Sequence, residues 1–218
     1  MGPLRLDDDR DTVTVTGVDA MTYLQSQLSQ EIRDLGVGES RWTFLLEPNG
    51  KIDVLARVTR TSDETFRLDT DAGFGDVLLA RVNRFKIRVR ADVELTASGG
   101  QPRADELAAE RIEAGWPRMG AEIVTGETIP AETGLNELAV DFKKGCYPGQ
   151  ELVERMDSRA AVAPRSLRRL DVADGAAAGD PIFDADGNEV GVLTTVCGNR
   201  ALGYVKRNAD VGELIKHS

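Results

Sequence analysis

Histidine is nearly missing from this chain. The single one, His217, stands beside the end of the sequence, where a frayed terminus rarely holds a ring in place. Ser-His-Asp and Cys-His catalysis need a held imidazole, so both are excluded, as are histidine-rich metal sites. Cysteine is almost as scarce. Cys146 and Cys197 alone do not make a disulfide framework or a zinc site, and they are too few for a four-thiolate iron–sulfur centre; no resident metal is expected. Positive charge is outweighed, with 27 Lys and Arg against 37 Asp and Glu and a net charge of −10. That balance opposes general binding to nucleic acid or to an anionic membrane surface. No apolar run is long enough to span a bilayer. The acidic opening, Met1-Gly2-Pro3-Leu4-Arg5-Leu6-Asp7-Asp8-Asp9, lacks a secretory hydrophobic stretch, and a cytoplasmic location is the expectation. Fixed-period repeats and low-complexity segments are absent too.

What is present reads as an α+β chain with a β-rich end. Val13 and Val15 alternate with threonines over residues 12–17, the period of a half-buried strand. Asp19 sits at an N-cap position before a helical stripe that runs through Leu24, Leu28 and Ile32 to Gly36 and Gly38. Strands are expected over residues 41–46 and 52–59, joined by the tight turn Pro48-Asn49-Gly50. A short strand over 65–69, a helix over 73–82 and a strand through Phe85, Ile87 and Val89 follow. The order predicts a small layer with helices on one face of an antiparallel sheet, over about 8–96. Residues 97–102 (Ala-Ser-Gly-Gly-Gln-Pro) read as a linker, and 103–112 as a charged helix stopped by Gly115 and Pro117. Residues 118–159 read as mostly irregular, which suggests a binding surface. From 165 to 218, short strands between glycine turns predict a small C-terminal β-barrel or sandwich without helices.

One segment has the composition of neither a strand nor a helix: Lys144-Gly145-Cys146-Tyr147-Pro148-Gly149-Gln150-Glu151. Gly145 and Gly149 permit torsions closed to other residues, and Pro148 fixes its own φ and restrains Tyr147. The chain is expected to turn here and to present Cys146 and Tyr147 from a shaped loop. Lys143 and Lys144 precede the thiol and favour its thiolate; the competing reading of Cys146 is a small packing residue. Cys197, among β-branched residues, reads as a core thiol.

This octapeptide resembles the KGCY-x-GQE signature of the YgfZ family, folate-binding proteins related to the aminomethyltransferase (T-protein) of the glycine cleavage system. Asp19 to Ser29, the segments Arg111-Ile112-Glu113-Ala114-Gly115-Trp116-Pro117 and Ile129-Pro130-Ala131-Glu132-Thr133-Gly134-Leu135, and Ala201-Leu202-Gly203-Tyr204-Val205 are similar to further family motifs. The resemblance implies a T-protein-like folate-binding region over 1–164, with the signature loop in its 103–164 part, ahead of the β-barrel. It implies tetrahydrofolate or a derivative as cofactor and a role in iron–sulfur protein assembly or repair, with iron–sulfur client or assembly proteins as partners. Folate-dependent aminomethyl transfer and a non-catalytic dimeric scaffold are the alternatives.

Residue by residue, the resemblance puts catalysis on Cys146 and on Asp53, which stands in a setting similar to the T-protein's catalytic aspartate, although Val54 replaces that family's second acid. It puts folate contacts on Glu113, whose carboxylate would meet the pterin's paired donors, and on Tyr147, Gln150, Glu151, Lys144 and Arg84. Each has a plain alternative: Glu113 as a solvated helix glutamate, Asp53 as a water-facing strand residue, Tyr147 as a gap filler, and the basic run Arg81, Arg84, Lys86, Arg88 and Arg90 as a solvated face. The family usually carries a second α+β layer between the strand ending near Leu95 and the helix holding Glu113. Here residues 96–107 alone bridge that gap, so the pocket is open, is closed by a second copy of the chain, or is not used for folate; a homodimer that completes the pocket is the favoured expectation.

Overall fold

Alternating Val and Thr build an interior strand of the first sheet, as the period predicts. The computed structural model describes residues 10–99, 107–158 and 163–211. Strand β1 (Arg10–Thr16) is followed by helix α1 (Ala20–Gln25), strands β2 (Ser40–Leu46), β3 (Ile52–Arg60) and β4 (Thr65–Asp71), helix α2 (Gly75–Arg84) and strand β5 (Asp92–Thr96). The five strands form one antiparallel sheet in the order β2-β3-β4-β1-β5. Val13 and Val15 are fully buried and pair with Leu68 and Phe66. They face α1 and α2 in a cluster with Leu24, Leu28, Val54, Val58, Leu78 and Val82. Asp11, on the same strand, accepts the Gly73 and Gly75 amides at 2.8 and 2.9 Å, which anchors the start of α2.

The sheet has a second buried face. Phe44, Leu46, Ile52 and Leu55 pack on Met119, Ile123, Leu135, Val140, Tyr147 and Val153. β2 and β3 are therefore covered on both sides, which accounts for their unbroken apolar runs. Between 107 and 158 the chain forms α3 (Ala108–Ala114), α4 (Pro130–Thr133), α5 (Asn136–Ala139) and α6 (Gln150–Ser158). Gly115, at φ 63°, ends α3 and lets Trp116 N–H reach the Arg111 carbonyl, the stop that the sequence signals.

The last four strands, β6 (Arg165–Asp171), β7 (Pro181–Phe183), β8 (Glu189–Cys197) and β9 (Arg200–Lys206), form an antiparallel sheet ordered β6-β9-β8-β7. The expected β-rich, helix-free end is present, as an open sheet rather than a closed barrel among the described residues. Buried Glu122 docks this sheet: its carboxylate accepts from Arg111 (3.2 Å), Thr194 (2.8 Å), Thr195 (2.5 Å) and the Arg118 amide (3.0 Å), and its carbonyl accepts the Tyr204 hydroxyl. Glu132, also buried, takes both arms of Arg165 at 3.1 Å.

Three expectations need correction. The first helix stops at Gln25 instead of running past Ile32. The Ser26 hydroxyl donates to the Tyr23 carbonyl, and Ser29 bonds Ala139 O and Phe44 N, so side chains satisfy groups that a longer helix would use. Residues 85–90 are not a strand. Arg88 sits at φ 57°, Ile87 is 79% exposed, and Asp19 holds Arg90 through its amide and guanidinium; the edge strand starts at Asp92. The 118–158 stretch carries three short helices. Glu106, Arg159, His217, the start of the helix expected from 103 and half of the expected linker lie outside the described residues.

Candidate functional site

Two features meet at the β2–β3 hairpin. The first is the glycine-bent loop. Gly149, at φ 84°, lies against the hairpin so closely that a Cβ there would stand 2.4 Å from Glu47 O and 2.9 Å from Leu46 Cβ. Gly50, at φ 86° in the Asn-Gly turn, is equally close to Leu152 Cβ at 2.4 Å. No side chain fits at either position, so backbone packs on backbone. Gln150 opens α6, and its side-chain oxygen accepts the Tyr147 amide at 2.8 Å. The result is a rigid turn with Cys146 exposed and unpaired at its tip.

The neighbours of Cys146 point inward. Tyr147 is 8% exposed and packs with Phe44, Leu46 and Val153; burial and the nearby Glu154 and Asp141 carboxylates push its hydroxyl up to about 12. Its ring is a core ring, not an open stacking surface. The Lys144 ammonium turns away from solvent, donating to Gln25 O at 2.7 Å and to Leu28 O, with the Tyr147 ring 5.1 Å away. Burial lowers it to about 8, while Glu31 and Asp141 act to raise it. Glu151 is exposed on the first turn of α6, and Gln150 also reaches Glu154 at 3.4 Å.

The second feature is a hollow of about 620 Å³ lined by Asp53, Asp76, Val77, Ala80, Arg81 and Arg84. Asp53 is 7% exposed. Arg81 Nε lies 3.1 Å from Asp53 Oδ2, yet Arg81 Nε and Nη2 donate to Leu46 O and its Nη1 to Gln27 Oε1. Asp53 Oδ2 thus shares Arg81 with those acceptors: the pair is close, but the guanidinium N–H groups point mainly at Leu46 O and Gln27. Burial raises the Asp53 carboxyl, with Arg81 and Arg84 pulling against it; burial lowers Arg81. Arg84 is exposed at the rim, its guanidinium 5.5 Å from the Phe85 ring.

The structure brings Asp53 and Arg84 to one hollow and holds Cys146 on the other side of the same hairpin. It places Glu113 elsewhere: exposed on α3, paired with Arg200 and, at 3.8 Å, with Arg169 of the C-terminal sheet. Gln27, Arg111 and Glu122 are buried polar groups that the sequence did not flag by role. Arg81 carried a signal, because it falls on the buried stripe of α2 with Leu78 and Val82. Glu122 carried none. Cys197 is half-buried at the end of β8 rather than in a core. Among the described residues, no group of three or more His, Cys, Asp or Glu is placed to hold a metal ion, and no helix is long and apolar enough to cross a membrane.

Comparison with known proteins adds the following. Residues 165–216 match the family model described as CAF17, C-terminal beta-barrel domain. The chain is similar to the Neurospora crassa mitochondrial iron-sulfur cluster assembly factor IBA57 homolog, 38% identical over 78 residues, 35% of this chain and 17% of that protein. Against the tRNA-modifying protein YgfZ of Escherichia coli it is 39% identical over 83 residues, 38% of this chain and 23% of that protein. Against an uncharacterized protein of Haemophilus influenzae it is 27% identical over 189 residues, 68% of this chain and 66% of that protein. The chain therefore spans less than two thirds of each. The crystal structure of glycine cleavage system aminomethyltransferase T from Bartonella henselae shares the fold, with a TM-score of 0.76 at 20% identity over 91% of this chain and 76% of that one.

Proposed function

The chain is a YgfZ-type protein related to the aminomethyltransferases, and on that premise we propose that it binds a tetrahydrofolate in the Asp53 hollow and supports iron–sulfur protein assembly or repair through the Cys146 loop. The observation that carries this reading is Asp53, a buried carboxylate on the wall of a hollow of about 620 Å³, whose neighbouring cation Arg81 also serves Leu46 O and Gln27. A buried carboxylate that shares its one guanidinium with other acceptors gains from a further donor on a ligand. A reduced pterin presents N–H donors along its edge, and its anionic tail suits Arg84 at the rim. The residues fit the group, with Asp53 in the part that the family resemblance assigns to Glu113. When bound, folate supplies a nitrogen that carries one-carbon units. The chain's own contribution is to orient the ring through Asp53, whose raised pKa also suits it to hold a proton, and to present an exposed thiol from the loop on the other side of the hairpin.

Two relatives are named for iron–sulfur cluster assembly and for tRNA modification. The acidity of this chain favours protein clients over direct contact with tRNA or membrane, in the cytoplasm. The cluster is cargo here, handled with a client. Gln150 and Glu151 stay in the proposal as polar contacts on the client side of the loop, and a second copy of the chain closes the hollow. A second reading, aminomethyl transfer with Asp53 as base, is favoured by the raised Asp53 carboxyl alone.

Calorimetric titration with tetrahydrofolate tests the proposal. Saturable binding is expected, about tenfold weaker in Asp53→Asn, in line with one charge-assisted hydrogen bond, and unchanged in Glu113→Gln. Absent binding, or equal affinity in Asp53→Asn, refutes it. Activity in a glycine-cleavage assay with a lipoylated carrier would move the assignment to the second reading.

A further inference from the structure

Hydrogen bonds, backbone and close packing together link the loop that carries the exposed thiol to the hollow. Arg81 sits at its centre, 3% exposed. On one side Arg81 Nη1 donates to Gln27 Oε1 at 3.1 Å. Gln27 is itself buried and belongs to the turn that follows α1. The backbone of that turn grips Lys144, through the carbonyls of Gln25 and Leu28 on either side of Gln27. On the other side, Arg81 Nε and Nη2 both donate to Leu46 O, and Leu46 is the residue against which Gly149 packs without room for a side chain. Lys144 and Gly149 flank Cys146 in the sequence. The loop that carries the thiol is thus held at both ends by groups that Arg81 holds in turn, and the carboxylate nearest Arg81 is Asp53, on the wall of the hollow.

We infer that Arg81, Gln27 and Lys144 are positioning residues for Cys146, forming a relay through which the charge in the Asp53 hollow sets the reactivity of the thiol. Their part is to fix the loop so that Sγ meets solvent in one geometry, and to change that geometry when the balance at Arg81 changes. Neutralising Asp53 removes the ion pair that Arg81 makes with it. Gln27 and the Leu46 carbonyl then take up the difference, and the two anchors of the loop shift together. The charged groups facing the Lys144 ammonium are Glu31 and Asp141, which favour it, and Arg33, which opposes it. In function, this deepens the proposed reading of the hollow: a ligand arriving there is registered at the thiol. The coupling itself is defined without a ligand, so the two ideas fail separately.

The experiment is a mutant cycle read by the rate of Cys146 alkylation with iodoacetamide at neutral pH, in the full chain carrying Cys197→Ser, with folding checked by circular dichroism. Asp53→Asn is expected to change the rate by about fivefold, the lower end of ordinary site-to-site coupling. In Gln27→Leu or Lys144→Met that response falls below about twofold, the mark of a broken pairwise link, and Lys144→Arg, which keeps the cation, restores it. A loss of packing alone would not be rescued this way. If Lys144→Met fails to fold, Gln27→Leu carries the test. A response to Asp53→Asn that persists in Gln27→Leu, or no response in the parent, overturns the relay. A response in the absence of any tetrahydrofolate binding upholds the relay and removes the folate reading.

Discussion

The two glycines of the signature loop should respond to alanine in opposite ways. At Gly149 a Cβ would stand 2.4 Å from Glu47 O, 2.9 Å from Leu46 Cβ and 3.0 Å from Gly50 Cα, with φ at 84°. Glu47 O and Gly50 Cα are backbone atoms in a hairpin whose register is fixed by the β2–β3 ladder, so they give way only if the hairpin does. An alanine in the left-handed region costs about 1–2 kcal/mol, and forcing a methyl into a filled space adds about 1–3 kcal/mol. Gly149→Ala is therefore expected to destabilise the fold by about 3 kcal/mol, a drop of about 6–12 °C in Tm for a chain of this size. Gly145, four residues earlier, has no atom within 4 Å of its Cβ position and no left-handed φ. Gly145→Ala should leave stability unchanged or raise it by about 0.4–1 kcal/mol, through a less mobile unfolded chain. Thermal and urea unfolding of both variants against the parent measure this. A Gly149→Ala protein within about 1 kcal/mol of the parent, or a Gly145→Ala protein that falls as far, would refute the claim that the loop is clamped backbone to backbone on the hairpin.

Other predictions concern charge. Lys144 is depressed to about 8 from 10.5, so between those values the unfolded chain binds more protons than the fold, and this group makes stability rise with pH. Tyr147 is raised from 10 to about 12, so above 10 the fold keeps a proton that the unfolded chain releases, and stability falls. Urea midpoints should pass through an alkaline maximum, and Lys144→Met should flatten the rising limb; an unchanged limb would contradict the buried ammonium. On the acid side, Glu31, lowered from 4.5 to about 2 by Arg33, contributes stability that fades as pH falls through that interval, weakly because Arg33 is exposed. Glu122→Ala strips a buried partner from Arg111 and should cost about 3–5 kcal/mol, whereas Glu113→Ala, at an exposed pair, should cost about 0–1 kcal/mol. Equal losses in urea unfolding would sink the distinction between the two.

The reach of sequence reading depended on the range of the interaction. The Thr-Val alternation of β1, the Asn-Gly turn at 49–50, the stop at Gly115 and the bend at 145–149 are properties of a residue and its immediate neighbours. Period and torsion were enough to find them. The signature spelling also pointed to the fold that the comparisons show. Failures came where a distant partner overrode a local pattern. Residues 85–90 alternate like a strand, yet Asp19, 71 positions before Arg90, pins that turn. The α1 stripe continues to Ile32, yet Ser29 bonds Ala139, 110 positions away.

Residue chemistry alone determined that this chain has one histidine, two cysteines and a loop bent by glycine around Cys146. Only the tertiary structure decided which polar groups are spent and which are free. Glu113 is committed to Arg200, 87 positions on, and Lys144 to carbonyls 116 and 119 positions back. Asp53 is left to share Arg81 with Leu46 O and Gln27. Torsional preference is local, so it is written in the residue itself. Burial and charge pairing are set by whatever the rest of the chain brings alongside, and a carboxylate or ammonium carries no mark of which partner that is.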